Sequence, residues 1–367
     1  MSQACRTFQV RLGASDPRTL ARRLPALPSG GFGLVFLTLP EAELTRAALE
    51  ELAASTPGTW IVARSDGAWT EQGELSSDTN AAGMVLPPAR YRLHAGPDLA
   101  EELLAELRAE RGETALVLLS EDEDATRFAS DLTRAKESPL PPLFGCRAQG
   151  RIAAVSEGRV LRPDALALVF PRHFPVRVAS STACRLISPI VRVTRAEGRA
   201  LMELDEIRAL EMLQQIALRP EEADLLLLAV APEERALSPQ GRVIIARPIV
   251  GVDPGRGALI VDPELPVGAR VAIAVRDRGA ARSDLDRHLQ TLGSAARTDA
   301  PLFGFFFASA ARRRPPIALD SEVRKVAHRF PSVPLLGLSS SAELSPFDGK
   351  LAAHTYASVL ALFSAVN

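Results

Sequence analysis

Four stretches in the middle of the chain decide its fold: Ala115-Leu-Val-Leu-Leu119, a helix-like run from Asp124 to Lys136, Pro142-Leu-Phe-Gly-Cys-Arg-Ala-Gln-Gly-Arg-Ile152, and Asp164-Ala-Leu-Ala-Leu-Val-Phe170. They read as strand, helix, strand, small-residue loop and strand. The order returns near the carboxyl terminus as Leu302-Phe-Gly-Phe-Phe-Phe307, Asp320 to Phe330, Pro334-Leu-Leu-Gly-Leu-Ser-Ser-Ser-Ala-Glu-Leu344 and Ala357-Ser-Val-Leu-Ala-Leu-Phe363. Pro142, Gly145 and Ile152 stand 192 residues before Pro334, Gly337 and Leu344. A weaker third copy begins at Leu34-Val-Phe-Leu37, continues through Ala42 to Ala54, and turns at Trp60-Ile-Val-Ala-Arg-Ser-Asp-Gly67.

Short apolar runs without alternation belong to strands covered on both faces, and the intervening helices supply that cover. Val323, Val326 and Phe330 recur at helical spacing behind Asp320, which is suited to an N-cap, and Pro331 and Pro334 stop the helix. Val176-Arg-Val178, Ile190-Val-Arg-Val-Thr194, Ala200-Leu-Met-Glu-Leu204 and Val243-Ile-Ile-Ala246 read as short antiparallel strands. Gly257-Ala-Leu-Ile-Val-Asp262 and Val271-Ala-Ile-Ala-Val275, separated by Pro266-Val-Gly268, read as a hairpin. A helix over Arg278 to Leu292 follows, and Glu221 to Ala223 and Pro232 to Gly241 read as loops. The expected class is α/β: two related modules of mixed β-sheet flanked by helices, with an internally repeated strand-helix-strand-loop-strand unit.

The 367 residues suit two domains or one duplicated one. With 43 Lys and Arg against 44 Asp and Glu, the net charge of −1 offers no excess of cations to hold a nucleic-acid backbone or an anionic lipid surface. Hydrophobic residues at 47% and charged residues at 24% fit a globular chain rather than a disordered one. No apolar run approaches the roughly 20 residues that span a bilayer, and Met1 to Leu12 lacks an apolar signal core, so the expected location is the cytoplasm. Cys5, Cys146 and Cys184 are odd in number and widely spaced, which fits reduced thiols and neither a disulfide framework nor a metal clip.

Taken in order, these segments resemble the FIST family, the F-box and intracellular signal transduction domain. Glu203-Leu-Asp205 with Ala209-Leu210 is similar to one family stretch. Ile249-Val-Gly-Val-Asp253 through Gly257-Ala-Leu259, Pro266-Val-Gly268 and Val275-Arg-Asp277 are similar to the strand pair that follows it. Pro334-Leu-Leu-Gly337 through Ala342-Glu-Leu-Ser-Pro346, with Gly349 and Leu360-Ala-Leu-Phe363, is similar to the family's ending. The resemblance implies an N-terminal-like domain over 1–206 and a C-terminal-like domain over 207–367. It also implies a sensory, ligand-binding module that signals through a separate protein such as a sensor kinase or regulator. Ala63-Arg64-Ser65 and Cys184-Arg-Leu-Ile-Ser188 depart from the family's usual residues, which keeps open a scaffold that binds protein and no ligand.

Open α/β sheets place ligands at the carboxyl ends of their strands. Two loops fall there: Gly145, Cys146 and Arg147 in one copy, and Gly337, Ser339, Ser340, Ser341 and Glu343 in the other. Cys146 could act as a nucleophile or soft ligand, although a free cysteine is more often a small core residue. Arg147 could hold a carboxylate bidentately or simply be solvated. The serines could meet a polar ligand or satisfy a turn. His94, His173, His288, His328 and His354 form no zinc face, and no metal site is expected. His354 or His173 is the axial candidate if the chain is a haem-based nitric-oxide sensor, the one reading with a cofactor. Elbow, P-loop and H-E-x-x-H signatures are missing. The sequence is therefore read as a non-catalytic module binding a small polar metabolite in a hollow bordered by the Cys146 and Ser339 loops.

Overall fold

The computed structural model describes residues 5–11, 18–38, 46–75, 80–109, 112–134, 141–231, 244–295, 299–313, 319–347 and 349–365. Mixed sheets flanked by helices make up the body of the molecule. The first sheet runs β1 (Arg6–Val10), β6 (Ala81–Val85), β2 (Phe32–Leu37), β3 (Thr59–Arg64), β10 (Ile152–Ser156), β11 (Arg159–Leu161). The second runs β7 (Arg92–Ala95), β12 (Ala165–Phe170), β8 (Thr114–Leu119), β9 (Leu143–Arg147), β24 (Ala342–Phe347), β25 (Lys350–His354). The third runs β13 (Val176–Ser181), β26 (Ser358–Ser364), β22 (Pro301–Ser309), β23 (Leu335–Ser340), β4 (Ala68–Thr70), β5 (Gly73–Glu74).

Written this way, the three sheets share one strand order. The central pairs β2–β3, β8–β9 and β22–β23 are parallel, and their neighbours are antiparallel. Each sheet also gives away a hairpin. After β3 the chain leaves the first sheet to add β4–β5 beside β23. After β9 it leaves the second to add β10–β11 beside β3, and after β23 it leaves the third to add β24–β25 beside β9. The exchange closes in a ring. The β10–β11 hairpin turns through Glu157 and Gly158, both at positive φ (43° and 78°), the backbone that matches strand twist in a two-residue turn.

The apolar runs form strands because both their faces are covered. Leu34 and Phe36, Leu116 and Leu118, and Phe303, Phe305 and Phe307 all point into one core where the sheets meet. The alternate residues point outward to helices. Val35 and Leu37 meet α1 (Arg18–Arg23) and α2 (Arg46–Ser55); Val117 and Leu119 meet α3 (Leu99–Ala109) and α4 (Ala125–Arg134). Phe306 and Ala308 meet α6 (Arg278–Ala295) and α7 (Leu319–Arg329). The continuation of the expected helices over residues 42–45 and 135–136 lies outside the described residues, as does the loop expected at Pro232–Gly241.

The antiparallel segment expected between the repeats is a barrel inserted between β13 and α6. Its strands β15 (Val191–Glu197), β16 (Ala200–Leu204), β20 (Ala258–Val261), β19 (Ile245–Asp253), β18 (Leu226–Ala231) and β21 (Arg270–Arg276) close on themselves, because β21 pairs with both β18 and β15. β14 (Cys184–Leu186), β17 (Ile207–Arg208) and α5 (Ala209–Gln214) lie along it. Val193, Leu201, Leu204, Leu228, Leu259, Val261 and Val271 fill its interior. The expected hairpin of β20 with β21 does not form. β20 pairs β16 and β19, while residues 262–269 carry the chain to the other side of the ring. Glu221–Ala223, expected as loop, lies in a short helical turn, Pro220–Leu225. Residues 206 and 207 adjoin inside the barrel, at the turn between β16 and β17.

Candidate functional site

A cleft of about 970 Å³ opens where the barrel meets the second sheet. The sheet side contributes the start of α4, where Asp124 Oδ1 accepts the Thr126 and Arg127 amides at 2.8 and 3.1 Å, an N-cap read correctly from sequence as the helix start. It also contributes Arg147 and Ser341 at the ends of β9 and β23, and His354 and Thr355 at the end of β25. The barrel contributes Gly198, Arg247 and the connection through Asp262 and Glu264. Two bonds fasten the seam: Arg247 Nη1 donates to the Ala353 carbonyl at 3.0 Å, and Thr355 Oγ1 to the Ala246 carbonyl at 2.7 Å.

The structure brings the two candidate loops together. Arg147 Nε donates to Ser341 Oγ at 2.8 Å, and the Ser341 amide donates to the Arg147 carbonyl at 2.9 Å. Both residues line the cleft. The other six candidates do not line it. Gly145 and Cys146 lie within β9, and the turn comes later, at 148–151. A Cβ on Gly145 would strike the Val117 carbonyl, and one on Gly337 the Phe306 carbonyl, so both glycines answer to a close approach of the neighbouring parallel strand. Trp69, from the exchanged hairpin, crosses Gly337 and donates its indole N–H to that Phe306 oxygen at 3.0 Å.

Cys146 is fully buried in the central core, and burial pushes its thiol well above the ordinary range, the opposite of what activates a nucleophile. Glu343 sits opposite it in register and is also fully buried. Its Oε1 accepts Ser340 Oγ–H at 2.5 Å and its Oε2 accepts the Ala357 amide at 3.1 Å. Burial nevertheless pushes this carboxyl up to about 8. Ser339 is buried, and its carbonyl accepts the Ser65 hydroxyl. His173 is exposed, its ring 4.3 Å from that of Phe174. His354 is fully buried; burial first, then the charge of Arg247, push it down to about 4.

The cleft carries both signs of charge. Arg127, Arg147 and Arg247 face carboxylates at Asp124, Asp131, Asp262 and Glu264. Arg127 reaches Asp131 at 3.7 Å and Asp262 reaches Arg199 at 3.3 Å, both pairs well solvated and worth little to stability. Burial lowers the Arg247 guanidinium only to about 10, so it stays a cation at neutral pH. Among the described residues no His, Cys, Asp and Glu group is arranged to hold a metal ion, and no helix is long and apolar enough to cross a membrane. Arg247, Asp262 and Glu264 were not singled out in the sequence, because each is an isolated charge far along the chain from the β9 and β24 residues it faces.

The FIST N domain matches residues 31–207 and the FIST C domain matches residues 191–346, so the chain belongs to the FIST family, whose domains are generally sensory modules of signal transduction. The two matches overlap on the first strands of the barrel. Uncharacterized proteins of Mycobacterium tuberculosis are 29% identical over 227 residues, covering 60% of this chain and 58% of theirs. One of Mycobacterium bovis is 28% identical over a match of the same extent. The match thus spans less than two thirds of the length of these relatives.

Proposed function

We propose that the cleft between barrel and second sheet receives a small polar metabolite and that its occupancy is passed to a separate signalling protein. The observation that carries this reading is the cleft itself. It has the volume of a small-molecule site, a wall of mixed charge, and a seam between barrel and sheet that the ligand would touch. Ligand held on both sides would favour one setting of the barrel against the sheet, and a partner that reads that setting receives the signal. A porphyrin fits this lining less well, since it asks for an apolar slot. His354 stands in a charged wall with Nε2 engaged by Ser345, and His173 is exposed beside Phe174.

A thermal-shift screen of small polar metabolites tests the proposal. A ligand at a hundred times its Kd should stabilise the fold by about 2.7 kcal/mol. Thr126→Trp, which places an indole at the cleft wall, should abolish the shift without lowering the melting temperature of the free protein. A screen without a single stabilising compound would favour a ligand-free scaffold.

A further inference from the structure

A second hollow, a groove of about 780 Å³, runs between α6 and α7 on the outer face of the third sheet. α6 lines it with Asp286 and the buried Leu289, and α7 lines it with Arg324, Lys325, His328 and Arg329. Lys325 Nζ donates to both Asp286 oxygens at 2.8 Å, which ties the two helices together and neutralises that carboxylate. Arg324 is exposed and makes no ion pair or hydrogen bond among the described residues. Arg329 has no carboxylate partner among them either. Its Nε donates to the Leu289 carbonyl at 3.4 Å, and its guanidinium lies on Gly293, where any Cβ would collide with it. The guanidinium is thus laid along α6 in advance of any partner.

α2 and α4 treat exposed arginine differently. Arg46 meets Glu50 at 2.7 Å and Arg127 meets Asp131 at 3.7 Å, each one turn along its helix. On α7 the residues one turn beyond Arg324 and Lys325 are His328 and Arg329, and like charges at that spacing weaken a helix. The helix dipole favours cations in the last turn, which accounts for His328 and Arg329 but not for Arg324. The chain as a whole carries −1, so this positive excess is local and too small for a nucleic-acid track. Among the described residues neither helix exposes a large hydrophobic side chain that would enter a membrane. We propose that the α6–α7 groove is the surface that meets a signalling partner and that it takes an acidic segment of that protein, with carboxylates on Arg324 and Arg329 and an apolar side chain against Leu289. This rests on the functional reading only in needing a separate partner protein. α6 begins at Arg278, one residue after β21 ends, which connects the groove to the barrel whose setting the ligand would bias.

A short fluorescein-labelled peptide that repeats Glu-Leu-Glu-Ala serves as the probe, titrated into the full chain and read by anisotropy and by the Leu289 methyl signals in NMR. It should bind saturably, shift those methyl signals, and weaken as salt is added. The same peptide with Gln for Glu, or with Ala for Leu, should bind more weakly by about tenfold or more. Arg324→Glu and Arg329→Glu should each weaken the parent peptide by a similar factor. Arg23→Glu, exposed on α1 against the first sheet, changes the net charge equally and should leave the affinity within about twofold. Melting temperatures show whether each variant folds, and Arg324, exposed and unbonded, can be replaced without disturbing the packing. The proposal is overturned by a peptide that does not bind, by equal binding of its Gln form, or by full affinity in both groove variants. Vesicles of phosphatidylserine and phosphatidylcholine that capture the chain through Arg324, and do so more tightly than the peptide, would assign the groove to a lipid surface instead. If a metabolite stabilises the chain while the peptide ignores the groove, this inference fails and the cleft reading stands. If the peptide occupies the groove and the metabolite screen is blank, the cleft reading fails and this inference stands.

Discussion

Glu343 and His354 face each other in register across the β24–β25 hairpin, and burial makes both neutral at neutral pH by opposite routes. Glu343 ordinarily titrates near 4.5 but is raised to about 8 in the fold, so between those values the folded chain keeps a proton that the unfolded chain has released. Its contribution therefore makes stability fall as pH rises through that window. His354 ordinarily titrates near 6.5 but is lowered to about 4, so the unfolded chain takes up a proton the folded chain refuses. Its contribution makes stability fall as pH drops from the first value towards the second. The two slopes oppose each other over the range they share. Glu343→Gln, which can still accept from the Ala357 amide and donate to Ser340, should abolish the decline towards pH 8 and leave the acid decline due to His354 in plain view. Melting temperatures of the two proteins across pH check this, and identical profiles would count against a protonated Glu343.

At the scale of elements, the parallel pair β22–β23 is held by a backbone approach so close that Gly337 has no room for a methyl group between the Phe306 carbonyl and the Trp69 indole. Gly337→Ala must push the exchanged hairpin or the neighbouring strand aside, and should cost on the order of 3 kcal/mol in urea unfolding. A loss below about 0.5 kcal/mol would mean the strands are not so closely packed. Much of this level was legible beforehand. The runs Leu116–Leu119 and Phe303–Phe307 announced strands covered on both faces, and the Val323, Val326 and Phe330 spacing announced α7. Pairing partners were not legible. Val155 lies opposite Trp60 and Leu336 opposite Thr70, and nothing local to either segment encodes so distant a neighbour. The Pro266-Val-Gly268 signal marked a turn correctly but said nothing about which strands would flank it. Of the cleft's lining, Arg147 and Ser341 were among the residues the loops pointed to, while Arg247 shares the cleft with them only through the barrel's placement.

For the molecule as a whole, the hairpin exchange means that none of the three mixed sheets outside the barrel is built from one continuous stretch. Cutting the chain between 206 and 207 would leave β4–β5 without β23, β13 without β26, and β9 without β24. Each fragment expressed alone should therefore lack a cooperative unfolding transition, and the two expressed together should regain one. A fragment 1–206 that melts cooperatively by itself would contradict this. The ring also has a consequence in time. During synthesis the segment carrying Trp69 emerges before the strand it must lie against, Leu335–Ser340, which leaves the ribosome some hundreds of residues later. The nascent chain must carry the Trp69 hairpin unpaired until Leu335–Ser340 has been made, so maturation in the cell should be slow and leave the growing polypeptide dependent on chaperones that shield it until the third sheet is finished.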